Sequence, residues 1–188
     1  LTEENVMEIS PLRLFIEPHR FERATLGINP GATYGSAKRW YPEKFAKVAA
    51  HYAKQYDILI FGGPGETEMA QEIEAELLRL GITNFTNLAG KTSIRELCAY
   101  IGGLALFVTN DSGPMHVAAA YQVPTVSIFG PTRHLETSQW KNRHSKIVRH
   151  DLECAPCMKR ECPLKHHDCM KNIEAYEVIQ AIEALSVS

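Results

Sequence analysis

Leu104-Ala105-Leu106-Phe107-Val108-Thr109 is an unbroken, mostly apolar run, and Asn110-Asp111-Ser112-Gly113-Pro114-Met115-His116 follows it directly. A run this short and this apolar reads as a strand buried on both faces. The small-residue segment 113–121, with a proline near its start, reads as a helix packed behind it. A buried strand feeding straight into a helix start is half of a βαβ unit.

The same rhythm continues on either side. Upstream, residues 26–29 form a short strand that runs into Pro30-Gly31, and residues 42–55 carry Phe45, Val48, Ala49 and Tyr52 at helical spacing. Residues 57–61 are another buried strand, 66–80 a helix closed by Gly81, and 84–88 a third strand. Residues 93–101 form a helix in which Ser93 and Glu96 have capping-box spacing. Downstream come a strand over 124–129, another over 145–149 and a closing helix over 173–185. Alternation of this kind predicts an α/β fold, a Rossmann-like parallel sheet with helices on both faces.

The chain has 188 residues, 45% hydrophobic and 22% charged, which suits one soluble globular domain. A formal net charge of -2 provides no electrostatic footprint for nucleic acid. No apolar run approaches the roughly 20 residues of a membrane helix, and the first residues lack a signal-peptide core. An odd count of five cysteines argues against a secreted disulfide scaffold, so a cytoplasmic location is expected. Residues 1–23 have mixed polarity and no period, and read as a trimmed terminus or a linker.

In a doubly wound sheet, ligands sit beyond the carboxyl ends of the strands. The turn after the 104–109 strand offers a helix N-terminus, where unpaired amides and the helix dipole attract phosphate. Asp111 or Ser112 is placed to cap that helix, Gly113 to let a ligand approach the backbone, and His116 to add a donor. A capped helix with a buried histidine remains the alternative. Loop 30–41 sets Thr33 and Ser36 beside the adjacent cations Lys38 and Arg39, a composition able to cradle a diphosphate. The same loop also reads as a surface turn with solvated charges and Trp40 as a core anchor. Glu66, after the 57–61 strand, is placed either to accept from ribose hydroxyls or simply to favour the first turn of its helix. Gly90-Lys91-Thr92 lacks the earlier glycine of a P-loop, since Phe85 stands in its place. Cys154, Cys157, Cys162 and Cys169, with His166 and His167 nearby, have soft ligands but irregular spacing for a zinc site.

Three segments taken together resemble the ADP-heptose:lipopolysaccharide heptosyltransferases, glycosyltransferase family 9 enzymes of GT-B architecture. They are Asn29-Pro30-Gly31-Ala32 with Lys38-Arg39-Trp40, Asn110 to His116, and Ile128-Phe129-Gly130-Pro131-Thr132. Cys154-Ala155-Pro156-Cys157, Arg160-Glu161-Cys162-Pro163 and Cys169-Met170 are most similar to the heptosyltransferase II branch. The resemblance implies that residues 26–188 are the donor-binding C-terminal domain and residues 1–25 an interdomain linker or remnant. It implies that ADP-heptose is the donor substrate, with no other cofactor required and no metal site. Lys38 would contact the diphosphate or departing sugar beside Thr33, Glu66 the ribose, and Thr92 the adenine. Asp111, Ser112, Gly113 and His116 would hold the diphosphate and sugar. Family members transfer heptose to the lipopolysaccharide inner core with inversion, using an aspartate of the N-terminal domain as base. That domain is expected to lie outside this chain, and with it the acceptor contacts, so the chain alone is expected to bind donor without catalysing transfer. Peripheral contact with the inner membrane is implied for the whole protein. Two other readings fit the residues: a GT-B donor domain for UDP- or GDP-sugars, and a metal-stabilised interaction domain built on residues 154–169.

Overall fold

The computed structural model describes residues 16–185, so residues 1–15 of the expected linker, and residues 186–188, lie outside the described residues. Within them, β1 (Thr25–Asn29), β2 (Asp57–Ile60), β3 (Phe85–Asn87), β4 (Leu106–Asn110), β5 (Thr125–Ile128) and β6 (Ser145–Val148) form one sheet. Its order is β3-β2-β1-β4-β5-β6 and every neighbouring pair is parallel, as the alternating pattern predicts. The helices are α1 (Pro42–Tyr52), α2 (Thr67–Arg79), α3 (Ile94–Gly103), α4 (Gly113–Ala120), α5 (His134–Thr137), α6 (Asp168–Lys171) and α7 (Ala175–Glu183). The four-residue α5 and α6 are too short to show a helical period, and the sequence pattern does not reveal them.

Strand alternation builds two cores. Leu26, Ile28, Ile58, Ile60, Leu106, Val108, Val126 and Ile128 point to one face, beneath α1, α2 and α7. Leu59, Phe61 and Phe107 point to the other, where Ile101 of α3 and Ala118 of α4 meet them. Burial on both faces explains the apolar runs of β2 and β4, while the edge strands β3 and β6 are more polar and only partly buried. The expected capping box forms: Glu96 N donates to Ser93 Oγ at 3.2 Å, and Ser93 N to Glu96 Oε2 at 2.8 Å.

The expected linker is packed where it is described. His19 N donates to the Ala99 carbonyl at 2.8 Å, and Tyr121 Oη to that of Ile16 at 2.6 Å. The His19 and Phe21 rings lie against Tyr100, which seats this segment over the second core. No helix among the described residues is long and apolar enough to cross a membrane.

Phe107 is fully buried at the centre of the sheet, edge-on to Phe61 at 6.2 Å. Phe107→Ala is expected to lower unfolding free energy by about 3–5 kcal/mol, read as an earlier denaturant midpoint at unchanged slope.

Candidate functional site

β1 and β4 are neighbours, yet the chain leaves them in opposite directions: β1 leads to β2 and β3, β4 to β5 and β6. Their carboxyl ends therefore bound the topological switch point, where the outgoing loops diverge and leave a crevice. It encloses about 650 Å³ and is lined by Thr33, Lys38, Glu66, Thr92, Asp111, Ser112, Gly113 and His116. All eight candidate residues thus meet in one place. That volume falls within the usual range of small-molecule sites, roughly 300–1,000 Å³.

Two buried amides shape the crevice. Asn110, at the end of β4, donates through Nδ2 to the Pro30 carbonyl at 2.6 Å and accepts from Trp40 N at 3.1 Å. One side chain thereby fastens both ends of the loop that carries Thr33 and Lys38. Asn29, the matching last residue of β1, donates to the Gly31 carbonyl and to Ser112 Oγ. Each amide crosses from one switch strand to the loop of the other. Trp40 is the anchor the sequence suggests: it is buried, and its Nε1 donates to the Ile173 carbonyl at 3.0 Å.

Lys38 is not a solvated charge. Its Nζ lies 2.6 Å from Asp111 Oδ2, with side-chain exposures of 11% and 5%, and 4.7 Å from the Tyr34 ring centroid. The same Oδ2 accepts from Thr132 Oγ1 at 2.6 Å. Side-chain capping of α4 by Asp111 or Ser112, expected from the sequence, does not occur. The Asp111 carboxylate is drawn to the cation and to Thr132, while the Ser112 hydroxyl turns to Thr109 and Asn29. The first turn therefore has no side-chain cap. Pro114 contributes no amide there, so the backbone of Ser112 and Gly113 supplies the nearest donors. His116 is exposed on the same turn.

Glu66 closes the opposite wall. Its Oε2 accepts from Gly63 N at 2.8 Å, and its carboxylate occupies the space that a side chain on Gly31 would take. Helix α2 begins after it, at Thr67, with Glu66 in a short 3-10 turn.

The cysteine-rich segment lies against the back of the Lys38 loop. Ala37 N donates to the Arg160 carbonyl at 3.0 Å, and Tyr34 Oη to that of Met158 at 2.9 Å. Gly35 admits the Arg160 backbone where a side chain would collide with it. His167 Nε2 donates to the Ala37 carbonyl at 2.9 Å, which leaves Nδ1 to accept from Tyr41 Oη at 3.1 Å. Cys154, Cys157, Cys162 and Cys169 line a small hollow beside Ala37. Among the described residues, however, no three His, Cys, Asp or Glu side chains are grouped so as to hold a metal ion. Burial, with the neighbouring thiols adding, pushes the Cys169 thiol up to about 11.

The sequence assigns no task at the crevice to Asn29, Asn110, Thr132 or His167. Asn29, Asn110 and Thr132 stand only within the family-like segments, and His167 only beside the cysteines as a soft ligand. Their contacts carry no local signal, because the partners are distant in the chain.

The family model for glycosyltransferase family 9 (heptosyltransferase) matches residues 4–167. The chain is 50% identical over 161 residues to lipooligosaccharide heptosyltransferase 2 of a Campylobacter jejuni strain, covering 85% of this chain and 50% of that protein. It superposes on Escherichia coli ADP-heptose lps heptosyltransferase II with a TM-score of 0.74 at 29% identity, covering 88% of this chain and 47% of that one. An E. coli heptosyltransferase solved with ADP shares the fold, with a TM-score of 0.69 at 19% identity, over 87% of this chain and 44% of that one. The chain spans about half the length of the curated relatives it matches.

Asn110→Leu removes the partner of a buried N–H and of a buried carbonyl. It is expected to cost about 2–4 kcal/mol and to speed hydrogen exchange of the amides between residues 31 and 39. Alkylation of the folded chain near pH 8 is expected to modify exposed Cys154 early and the buried Cys98 and Cys169 last, as mass spectrometry of timed samples would show, because a buried protonated thiol is a poor nucleophile.

Proposed function

The chain belongs to glycosyltransferase family 9, the heptosyltransferases, and from that membership we propose that the switch-point crevice is the ADP-heptose site of a lipopolysaccharide heptosyltransferase. The observation that carries this reading is the buried Lys38–Asp111 pair facing an open helix start. An ammonium and a helix N-terminus converging on one spot suit a ligand with concentrated negative charge. The relatives' names supply the transferred sugar, and the name of the E. coli ADP-heptose lps heptosyltransferase II supplies the nucleotide.

In this reading Lys38, the amides of Ser112 and Gly113, and His116 donate to the diphosphate, with Thr33 beside it. A carboxylate cannot donate to phosphate, so Asp111 orients Lys38 and accepts from sugar hydroxyls. Glu66 accepts from the ribose through the carboxylate oxygen not bonded to Gly63 N, and Thr92 borders the adenine. Transfer with inversion breaks the bond from the heptose anomeric carbon to the β-phosphate oxygen as an acceptor hydroxyl oxygen bonds to the opposite face. The electron pair leaves with ADP, and Lys38 offsets its charge. The acceptor's proton needs a base. The acids lining the crevice, Glu66 and Asp111, are already engaged with Gly63 and with Lys38 and Thr132. The base, the inner-core acceptor contacts and contact with the inner membrane are assigned to a second half, in keeping with the relatives' double length.

Titration of the chain with ADP, UDP and GDP should raise its thermal midpoint most with ADP. Lys38→Gln should weaken ADP binding by about tenfold or more. Preference for UDP would count against heptosyl transfer, and heptose transfer by this chain alone would overturn the two-half assignment.

A further inference from the structure

We propose that Thr132 is a positioning residue for the donor site, acting through Asp111 to fix the ammonium of Lys38. This rests on the donor reading above and assigns a task to a residue outside the crevice lining.

Thr132 follows β5, Asp111 directly follows β4, and Lys38 lies in the loop after β1, so the three residues come from three separate strand ends. Thr132 is 5% exposed and Asp111 4%. Thr132 Oγ1 and Lys38 Nζ both lie 2.6 Å from a single oxygen, Asp111 Oδ2. A buried aspartate has two free side-chain torsions, and one ion pair to a long flexible lysine leaves their combination loosely set. A second donor, on a short β-branched side chain with few rotamers, fixes the carboxylate plane. The lysine then meets its partner oxygen in one place. An ammonium has three N–H donors, so Lys38 can keep Asp111 and direct another toward a phosphate oxygen. Without the threonine hydroxyl the carboxylate can swing, and the lysine with it, so ordering Lys38 would be charged to ligand binding.

The test is calorimetric titration with ADP of the wild-type chain and of Thr132→Val, Thr132→Ser, Lys38→Gln and the Thr132→Val/Lys38→Gln double variant. Thr132→Val should weaken ADP binding by about tenfold and Thr132→Ser by no more than about twofold, since serine keeps the hydroxyl. In the Lys38→Gln background, Thr132→Val should cause no further loss, because residues acting through one another are not additive. Wild-type affinity in Thr132→Val overturns the proposal, as does an equal loss in both backgrounds. Should the double variant fail to fold, a serine variant as weak as the valine variant overturns it equally. A wild-type chain that does not bind ADP removes the donor reading and this inference together. Weak binding by Lys38→Gln with normal binding by Thr132→Val removes only the inference.

Discussion

The crevice depends on the side chain of Asn110. It is fully buried at the end of the central strand, where an unpaired amide would cost the full penalty of its desolvation, and it satisfies both polar atoms on the loop from the neighbouring strand. Because its partners, Pro30 and Trp40, stand near the two ends of the Lys38 loop, the cost of closing that loop is met at one point. Asn29 reaches the other way, to Ser112. The two neighbouring strands whose outgoing loops diverge are thus tied together by side chains at the level where the sheet ends, and the loops beyond start from fixed positions.

A fixed loop permits a buried ion pair. Lys38 and Asp111 are largely removed from water, and such a pair returns its desolvation cost only when the geometry is good and the remaining valences are filled. Thr132 on the carboxylate and the Tyr34 ring near the ammonium supply that support. The pair stands at the entrance to α4, whose first turn no side chain caps. Stability alone would favour capping that turn. Leaving it open while burying a cation beside it is the local compromise expected where a helix start meets an anion.

The cysteine-rich segment belongs to the same construction. By composition it suggested a separate metal module. In the fold, its backbone carbonyls at Met158 and Arg160 and the ring of His167 brace the outer side of the Lys38 loop. The loop is held at both ends by Asn110 and from behind by this segment, so its crevice side is the one left to a ligand.

Much of this was legible in the chain. Apolar runs marked β1, β2, β4 and β5, helical spacing marked α1, and the Ser93–Glu96 box marked the start of α3. The strand-end loops indicated where a ligand would sit, whereas the short, more polar β6 carried a weaker signal. These signals are local, since a strand or an amphipathic helix writes its period within about ten residues. Family motifs then pointed to glycosyltransferase family 9. Tertiary structure alone decided that Asp111 holds Lys38 rather than capping α4, that Thr132 shares the same oxygen, and that His167 rests on Ala37. Each of these contacts depends on strand order. β1 has β2 on one side and β4 on the other, and no local period records which strand ends will stand together. Asp111 is a suitable cap by residue type, but the nearby buried cation makes a stronger demand on its carboxylate, and that cation arrives from a loop more than seventy positions earlier in the chain.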